Sequence, residues 1–402
     1  MKSILVLNSG SSSLKFSVFQ TDPAGAQTTL VAGGQIARQA DGVAMEIRDG
    51  QGAMLVQTHE PDAGAAFDAE AALARVVAWL DTRSGNRQID AIGHRVVHGG
   101  DQFFLPVIAN PRILQALMAL IPLAPLHQGH NLAGVELTRT HWPDAIQVLC
   151  FDTAFHHGQP SVARACALPR SITALGIQRY GFHGLSFESI VQKLPEVLGS
   201  GAQGRVLVAH LGNGASLCAL VEGRSQAATM GFSVLDGLMM GSRCGTLDAG
   251  VVLYLLQHLQ MSAEQVSAML YEESGLLGVS GVSSDMATLL GSSDPHAAEA
   301  LDLFVYRVAG EIGQMTAAMG GIDALVFTAG IGENAPEIRA RICAACGWLG
   351  AVLDECANSV DLELIHARDS KLQIAVVRTD EEAVIAGHTA RLARLVASPV
   401  HA

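Results

Sequence analysis

The residues nearest the start of the chain suit the binding of an anion. Asn8 ends an apolar run, Ile4-Leu5-Val6-Leu7, and a turn of small residues, Ser9-Gly10-Ser11-Ser12-Ser13, leads to Lys15 in a run that alternates between faces. Small residues leave the backbone N–H groups of a turn uncovered, and a concave set of such donors holds anions. Lys15 adds positive charge and Asn8 a neutral oxygen at the strand end. Together they form a phosphate-and-metal corner, which points to an enzyme that uses a nucleotide.

The same plan occurs again. Arg205 to Leu211 is apolar and passes through Gly212-Asn213-Gly214 into Ala215 to Val221, a second strand, turn, strand unit that suggests two related halves. A third glycine segment, Gly330-Ile331-Gly332-Glu333-Asn334, follows the apolar Ala324 to Thr328 and precedes Pro336, which suits the first position of a helix running to about Cys346. Such a turn brings backbone close to a ligand and aims a helix N-terminus at it. This third segment is not a G-x-G-x-x-G fingerprint, and no Walker lysine motif appears in the chain.

These turns need strands and helices to hold them. At 402 residues the chain exceeds the usual size of one core, so two domains are expected. Residues up to about 58 read as strands, and strands should end at His94 and Asp152. Phe67, Ala71, Val76, Val77 and Leu80 predict a helix over 65–82. Further helices are predicted over 111–120, 131–141, 248–259, 262–271 and 295–319, and a strand over 372–378 precedes a last helix over 380–396.

Asp and Glu outnumber Lys and Arg 38 to 25, and the net charge of −13 argues against nucleic acid or anionic membrane as a partner. No apolar run approaches the roughly 18 residues of a membrane span, and Met1-Lys2-Ser3 leads into a strand rather than a secretory signal. Seven cysteines, an odd number, suit a reducing cytoplasm, and Cys343 and Cys346 lack a second pair for zinc.

Seven motifs in order carry a family resemblance: Asn8 to Lys15, Gly93-His-Arg-Val-Val-His-Gly-Gly100, Phe151-Asp-Thr-Ala-Phe155, Tyr180-Gly-Phe-His-Gly184, His210-Leu-Gly-Asn-Gly214, Gly237-Leu-Met-Met-Gly241 with Arg243, and Gly330 to Asn334. The chain resembles the acetate kinases, of the actin, sugar kinase and Hsp70 superfamily. The resemblance implies an α/β fold of two duplicated ribonuclease H-like, actin-like ATPase domains, with mixed sheets flanked by helices and an active-site cleft between the domains. It places the N-terminal domain at 1–150, completed by the C-terminal helix at about 384–402, and the nucleotide-binding domain at 151–383. It implies reversible, magnesium-dependent transfer of a phosphoryl group from ATP to acetate, with manganese as an alternative metal, and a cytoplasmic homodimer.

A small carboxylic acid, with a pKa of about 4, is already ionised at neutral pH, so no general base is required. The obstacle is bringing two anions together, and cationic clamps, a metal and oriented donors answer it. By resemblance Arg95 orients the acid, and Arg243 steadies the transferring group. Arginine suits both tasks through its paired, permanently charged donors. His183 and His127 can donate to phosphoryl oxygens, and Asp152 either holds magnesium through water or orients an arginine. Asn8 and Glu381 are the expected metal ligands, with a first-turn helix acid as the plain alternative for Glu381. Val97, Leu126, Phe182 and Val234 are the expected pocket walls, with Arg95 and His127 beside them. The nucleotide falls to Lys15, His210, Leu211, Gly212, Asn213, Gly214, Asp285, Met286, Ala287, Gly330, Ile331, Gly332, Glu333 and Asn334.

The chain departs from the family pattern at several points. Val234 replaces the usual proline, Ala227-Ala228 an Asp-Thr pair, Thr246 an aspartate, Ala287 an arginine and Gln128-Gly129 an Asn-Pro pair. Two alternatives therefore stand beside acetate kinase. One is a propionate kinase with a wider pocket; the other is a non-enzymatic nucleotide switch of the actin or Hsp70 type.

Overall fold

The computed structural model describes residues 2–10, 13–22, 27–39, 42–61, 67–84, 88–125, 127–360 and 362–397. The chain divides into two compact units, Met1–Ala154 with Asp380–Ala402, and Phe155–Thr379.

In the first unit, β1 (Ser3–Ser9) pairs antiparallel with β2 (Ser13–Thr21), placing Asn8 opposite Lys15. The antiparallel ladder continues through β3 (Thr28–Gln39), β4 (Gly42–Asp49) and β5 (Met54–Pro61). On its other side β1 runs parallel to β6 (Ala91–Val96), which runs parallel to β8 (Ile146–Phe151), while the short β7 (Val107–Ile108) closes that edge. The strands β1, β6 and β8 are buried along nearly their whole length, as continuous apolar strands covered on both faces should be. The helix Gln128–His141 packs against β1 and β6, and the C-terminal helix Glu381–Ala397 packs against β1, β6 and β8. Gly93 lies where a Cβ would collide with Ile385 and Thr389, so this strand and the last helix approach backbone to side chain.

The second unit repeats the central plan. β9 (Arg205–Leu211) pairs antiparallel with β10 (Ala215–Val221), β10 with β11 (Arg224–Ala228), and β9 runs parallel to β12 (Ala324–Thr328), which runs parallel to β13 (Gln373–Val376). The order β11-β10-β9-β12-β13 therefore matches β3-β2-β1-β6-β8 in both sequence and strand sense. The long helix Pro295–Met319, capped by Asp294 with Pro295 at its first position, packs against β9, β10 and β11. On the other face the helix Gly184–Leu198 contributes Phe187, Ile190, Leu194 and Leu198 to the core. Among the described residues no helix is long and apolar enough to cross a membrane. All seven cysteines are free thiols.

Candidate active site

In α/β sheets, ligands gather at the carboxyl ends of parallel strands. In the first unit those ends bring together Arg95, near the end of β6, and Asp152, one residue past β8. Their strands are direct neighbours, and the Asp152 N–H still donates to the Val96 carbonyl at 3.1 Å. Arg95 donates through Nε to Oδ1 and Oδ2 of Asp152 at 3.0 and 3.1 Å, and through Nη2 to Oδ2 at 2.6 Å. That edge of the guanidinium is occupied, so the Nη1 end is what remains for a ligand. Glu381 Oε2 lies 3.7 Å from Arg95 Nε. Burial works against the Arg95 charge, but Asp152, then Glu381, hold its pKa above the ordinary arginine value.

Asn8 and Glu381 offer hard oxygen donors of the kind magnesium takes, one or two from protein and the rest from water and phosphate. Burial, then the Glu381 carboxylate, push Glu382 above the usual carboxylate range, with Lys15 opposing. The start of the last helix thus holds negative charge that a cation would relieve. Among the described residues no group of three or more His, Cys, Asp or Glu side chains is arranged as a metal cage.

Val97 and its neighbour His98 are held by two buried amides, of which the sequence singled out only Gln128, as a departure from the family pattern. Asn131 accepts from the Val97 N–H at 3.0 Å and donates to the Ser9 carbonyl at 2.6 Å, tying the first turn to Val97. Gln128 accepts from the His98 N–H at 3.1 Å and returns a bond to the His98 carbonyl at 3.0 Å. For Asn131 the only sequence signal was a polar residue facing inward on an amphipathic helix. His127 is the half-buried residue preceding that helix. Leu126, with Ser11 and Ser12 of the first turn, lies outside the described residues.

In the second unit the β9–β10 turn is the meeting point. His183 caps the helix Gly184–Leu198 in the left-handed conformation, φ 59°. Its Nδ1 bonds the Ser216 hydroxyl at 2.9 Å, and its ring stacks on His210 at 4.2 Å between centroids. His210 in turn bonds Ser186 at 2.8 Å, and Ser186 bonds Thr379 at 2.9 Å. A Cβ on Gly214 would stand 2.7 Å from Arg243 Nη2 and 3.3 Å from His183 Nε2. Only glycine lets the turn, the arginine and the histidine come this close. Arg243 Nη1 donates to the Val234 carbonyl at 3.0 Å. The Gly241 N–H donates to the Asn213 carbonyl at 3.0 Å, which joins the Gly237–Gly241 segment to the same turn. Leu211, Phe182 and Val234 are buried here, at 0%, 1% and 6% exposure.

Three of the buried histidines work within the protein instead. Burial pushes His94, His98 and His156 down to about 4, so all are neutral near pH 7. His156 faces the Phe182 carbonyl at 2.9 Å through Nε2, which must therefore donate, and Nδ1 accepts from Ser225 at 2.9 Å.

The third glycine segment is helical where an open turn was expected. Ala329–Asn334 forms a short helix entered through Ala329 at φ 65°. Glu333 turns its carboxylate inward, accepting from the N–H groups of Ala329 at 2.8 Å and Thr379 at 3.1 Å. Asn334 donates back to the Gly330 carbonyl at 2.8 Å. The fully buried Arg339 holds the carbonyls of Gly332 and Glu333 at 3.0 and 2.9 Å, satisfying acceptors at a helix end. Gly330 is exposed and open, and Ile331 is half-buried. Asp285 caps the helix Met286–Leu290 through Thr288, Met286 is buried, and Ala287 is exposed.

The model of the Acetokinase family matches residues 3–387. The chain belongs to the acetokinase family. It is 50% identical over 393 residues to the acetate kinase of Rhodopseudomonas palustris (strain TIE-1), covering 97% of this chain and 98% of that protein. Among solved structures, a propionate kinase from Francisella tularensis subsp. tularensis SCHU S4 matches with a TM-score of 0.88 and 34% identity, over 97% of this chain and 100% of that one. The acetate kinase of Porphyromonas gingivalis matches with a TM-score of 0.83 and 33% identity, over 98% and 100%. The acetokinase family fold, two sheets of one plan flanked by helices, is thus the expected actin-like duplication. As an acetokinase family member the chain is a phosphotransferase with a carboxyl acceptor, an ATP-dependent kinase rather than a nucleotide switch.

Proposed function

We propose that this chain transfers a phosphoryl group reversibly from ATP to acetate, giving acetyl phosphate and ADP by direct in-line attack. A carboxylate oxygen bonds to the terminal phosphorus as the bond to the ADP oxygen breaks, and no proton need be removed. The observation that carries this reading is the convergence of Arg243 Nη2 and His183 Nε2 on the Gly214 turn. A cationic fork and an imidazole nitrogen beside a glycine turn suit a phosphoryl group whose charge spreads over three oxygens. Arg95, held edge-on by Asp152, is assigned to the acid, with Asp152 as its orienting partner. The turn at Gly212–Gly214 and the Gly330–Asn334 segment are assigned to the nucleotide. Magnesium, when bound, neutralises phosphate charge, and Asn8 and Glu381 are the residues that would hold it.

Acetate is favoured over propionate by the 50% identity to an acetate kinase against 34% to a propionate kinase. Val234 keeps the second acid in view, because one methylene is worth only about 1–3 kcal/mol in such a pocket. Hydroxamate trapping of the acyl phosphate made from ATP, magnesium and each of acetate, propionate and butyrate tests both readings. Acetate is expected to react best, with Val234→Pro narrowing the range further. Product from none of the acids overturns the proposal.

We also assign the chain to the cytoplasm, where ATP and free thiols are at home, and to a homodimer. Supporting the dimer, the helix Ala249–Gln257 is almost wholly apolar yet buries none of its residues, with Leu253 and Tyr254 52% and 53% exposed. Light scattering should give twice the chain mass, and Leu253→Lys should halve it.

A further inference from the structure

Residues 229–248, which deliver Val234 and Arg243, form no helix or strand, so something other than a backbone ladder must hold them. Backbone bonds from Cys244 to Leu270, and from Ser274, Leu276 and Leu277 back to Ser242, Met240 and Gly241, hold residues 240–244, and one side-chain pair ties the rest. Arg179 Nη1 donates to Asp236 Oδ2 at 2.6 Å, and Arg179 Nη2 donates to the carbonyls of Ala228 at 3.2 Å and Thr229 at 2.9 Å. Thr246 closes the far side. Its hydroxyl donates to Asp236 Oδ1 at 3.0 Å and accepts from the Gly237 N–H at 3.1 Å. Both ends of the loop are therefore tied to one carboxylate.

Arg179 also belongs to the segment that presents His183. The N–H groups of Tyr180 and Gly181 donate to the Gly231 carbonyl at 2.9 and 3.3 Å, and Phe182 and His183 follow. Gly231 passes flat against the ion pair, since a Cβ there would stand 2.7 Å from Arg179 Nη1. The residue at 246 sharpens the arrangement. An aspartate, usual in the family, would face Asp236 with a like charge, whereas the threonine hydroxyl donates to it; Glu311, near enough to feel the charges of both Arg179 and Asp236, is the second carboxylate beside the pair.

We propose that Arg179 and Asp236 are a positioning pair, which sets Arg243 and His183 in register at the Gly214 turn. This rests on the phosphoryl-transfer reading and deepens it. Neither residue is assigned a contact with the reacting groups. They act through Arg243, whose Nη1 is fixed by Val234 inside the tied loop, and through His183, four residues beyond Arg179.

The test is steady-state kinetics on Arg179→Met, Arg179→Lys, Asp236→Asn and the double variant Arg179→Met/Asp236→Asn. Misplacing a reacting group by about 1 Å costs up to about 100-fold in rate, so Arg179→Met should lose about 10- to 100-fold in kcat. KM for ATP should stay within about threefold, because the turns assigned to the nucleotide are untouched. Arg179→Lys, which keeps the charge without the fork, should fall between. The double variant should be no slower than Arg179→Met, the mark of two residues acting as one. A kcat for Arg179→Met within about twofold of the parent, or single losses that multiply in the double variant, overturns the inference alone. Should Arg179→Met not fold, the isosteric Asp236→Asn decides: a kcat unchanged from the parent refutes the pair. A parent protein that phosphorylates no acid overturns the kinase reading and this inference with it.

Discussion

Arg95 meets Asp152 edge-on, through Nε and Nη2, across the ends of two adjacent parallel strands. Asp152 is only 1% exposed, so the strand register, rather than loop closure, presents a buried carboxylate to the arginine. Such a pair fixes the direction of the remaining donor as well as its charge.

Replacing Asp152 by asparagine keeps the shape and removes the charge that holds the Arg95 fork. We expect Asp152→Asn to lower turnover about 100-fold or more, as loss of a preorganised electrostatic partner does. Breaking a buried pair also costs about 3–5 kcal/mol, to be read from urea melts at fixed pH. Turnover within tenfold of the parent would remove Asp152 from the machinery.

Gly214 allows a sharper experiment. In Gly214→Ala the new methyl would stand 2.7 Å from Arg243 Nη2, so the arginine must shift. Turnover should fall about 10- to 100-fold with little change in stability. Gly158→Ala, whose methyl would meet nothing within 4 Å, serves as the control. Equal activities in the two variants would mean that Arg243 and the turn do not work together.

Acid should unfold this protein early. His94, His98 and His156 sit near 4 in the fold against 6.5 unfolded, so between those values the unfolded chain binds more protons and stability falls as pH falls. The contribution is fully present above 6.5 and gone below about 4. Each group accounts for about 3 kcal/mol, and three together rival the roughly 5–15 kcal/mol that holds a domain folded. Urea midpoints should drop steadily from pH 7 to pH 5, and a flat profile would contradict the burial of these rings.

What could be read from the chain alone was whatever repeats or punctuates. Two apolar strand pairs around small-residue turns announced the duplicated plan, and the helix Pro295–Met319 begins and ends where proline and glycine place it. The helix Gly184–Leu198 escaped notice because it carries Pro195 and starts behind a left-handed histidine, both of which look like breaks. Ala329–Asn334 resembles a turn by composition, and its helical state depends on Glu333 and Arg339, partners with no periodic signature. Asn131 and the Arg179–Asp236 pair were hidden for the same reason, and Gln128 showed only as a departure from the family pattern: they bind backbone or a distant charge, and no local spacing encodes that.

The helix Glu381–Ala397 covers β1, β6 and β8, strands made from the first part of the chain. A ribosome must therefore deliver all of Phe155–Thr379 before the opening strands receive their cover. During synthesis the inserted unit can complete its own sheet while the earlier one waits half-dressed. Until that helix emerges, Arg95 also lacks the acid that Glu381 brings, so the nascent protein acquires that charge cluster only after Phe155–Thr379 has been made.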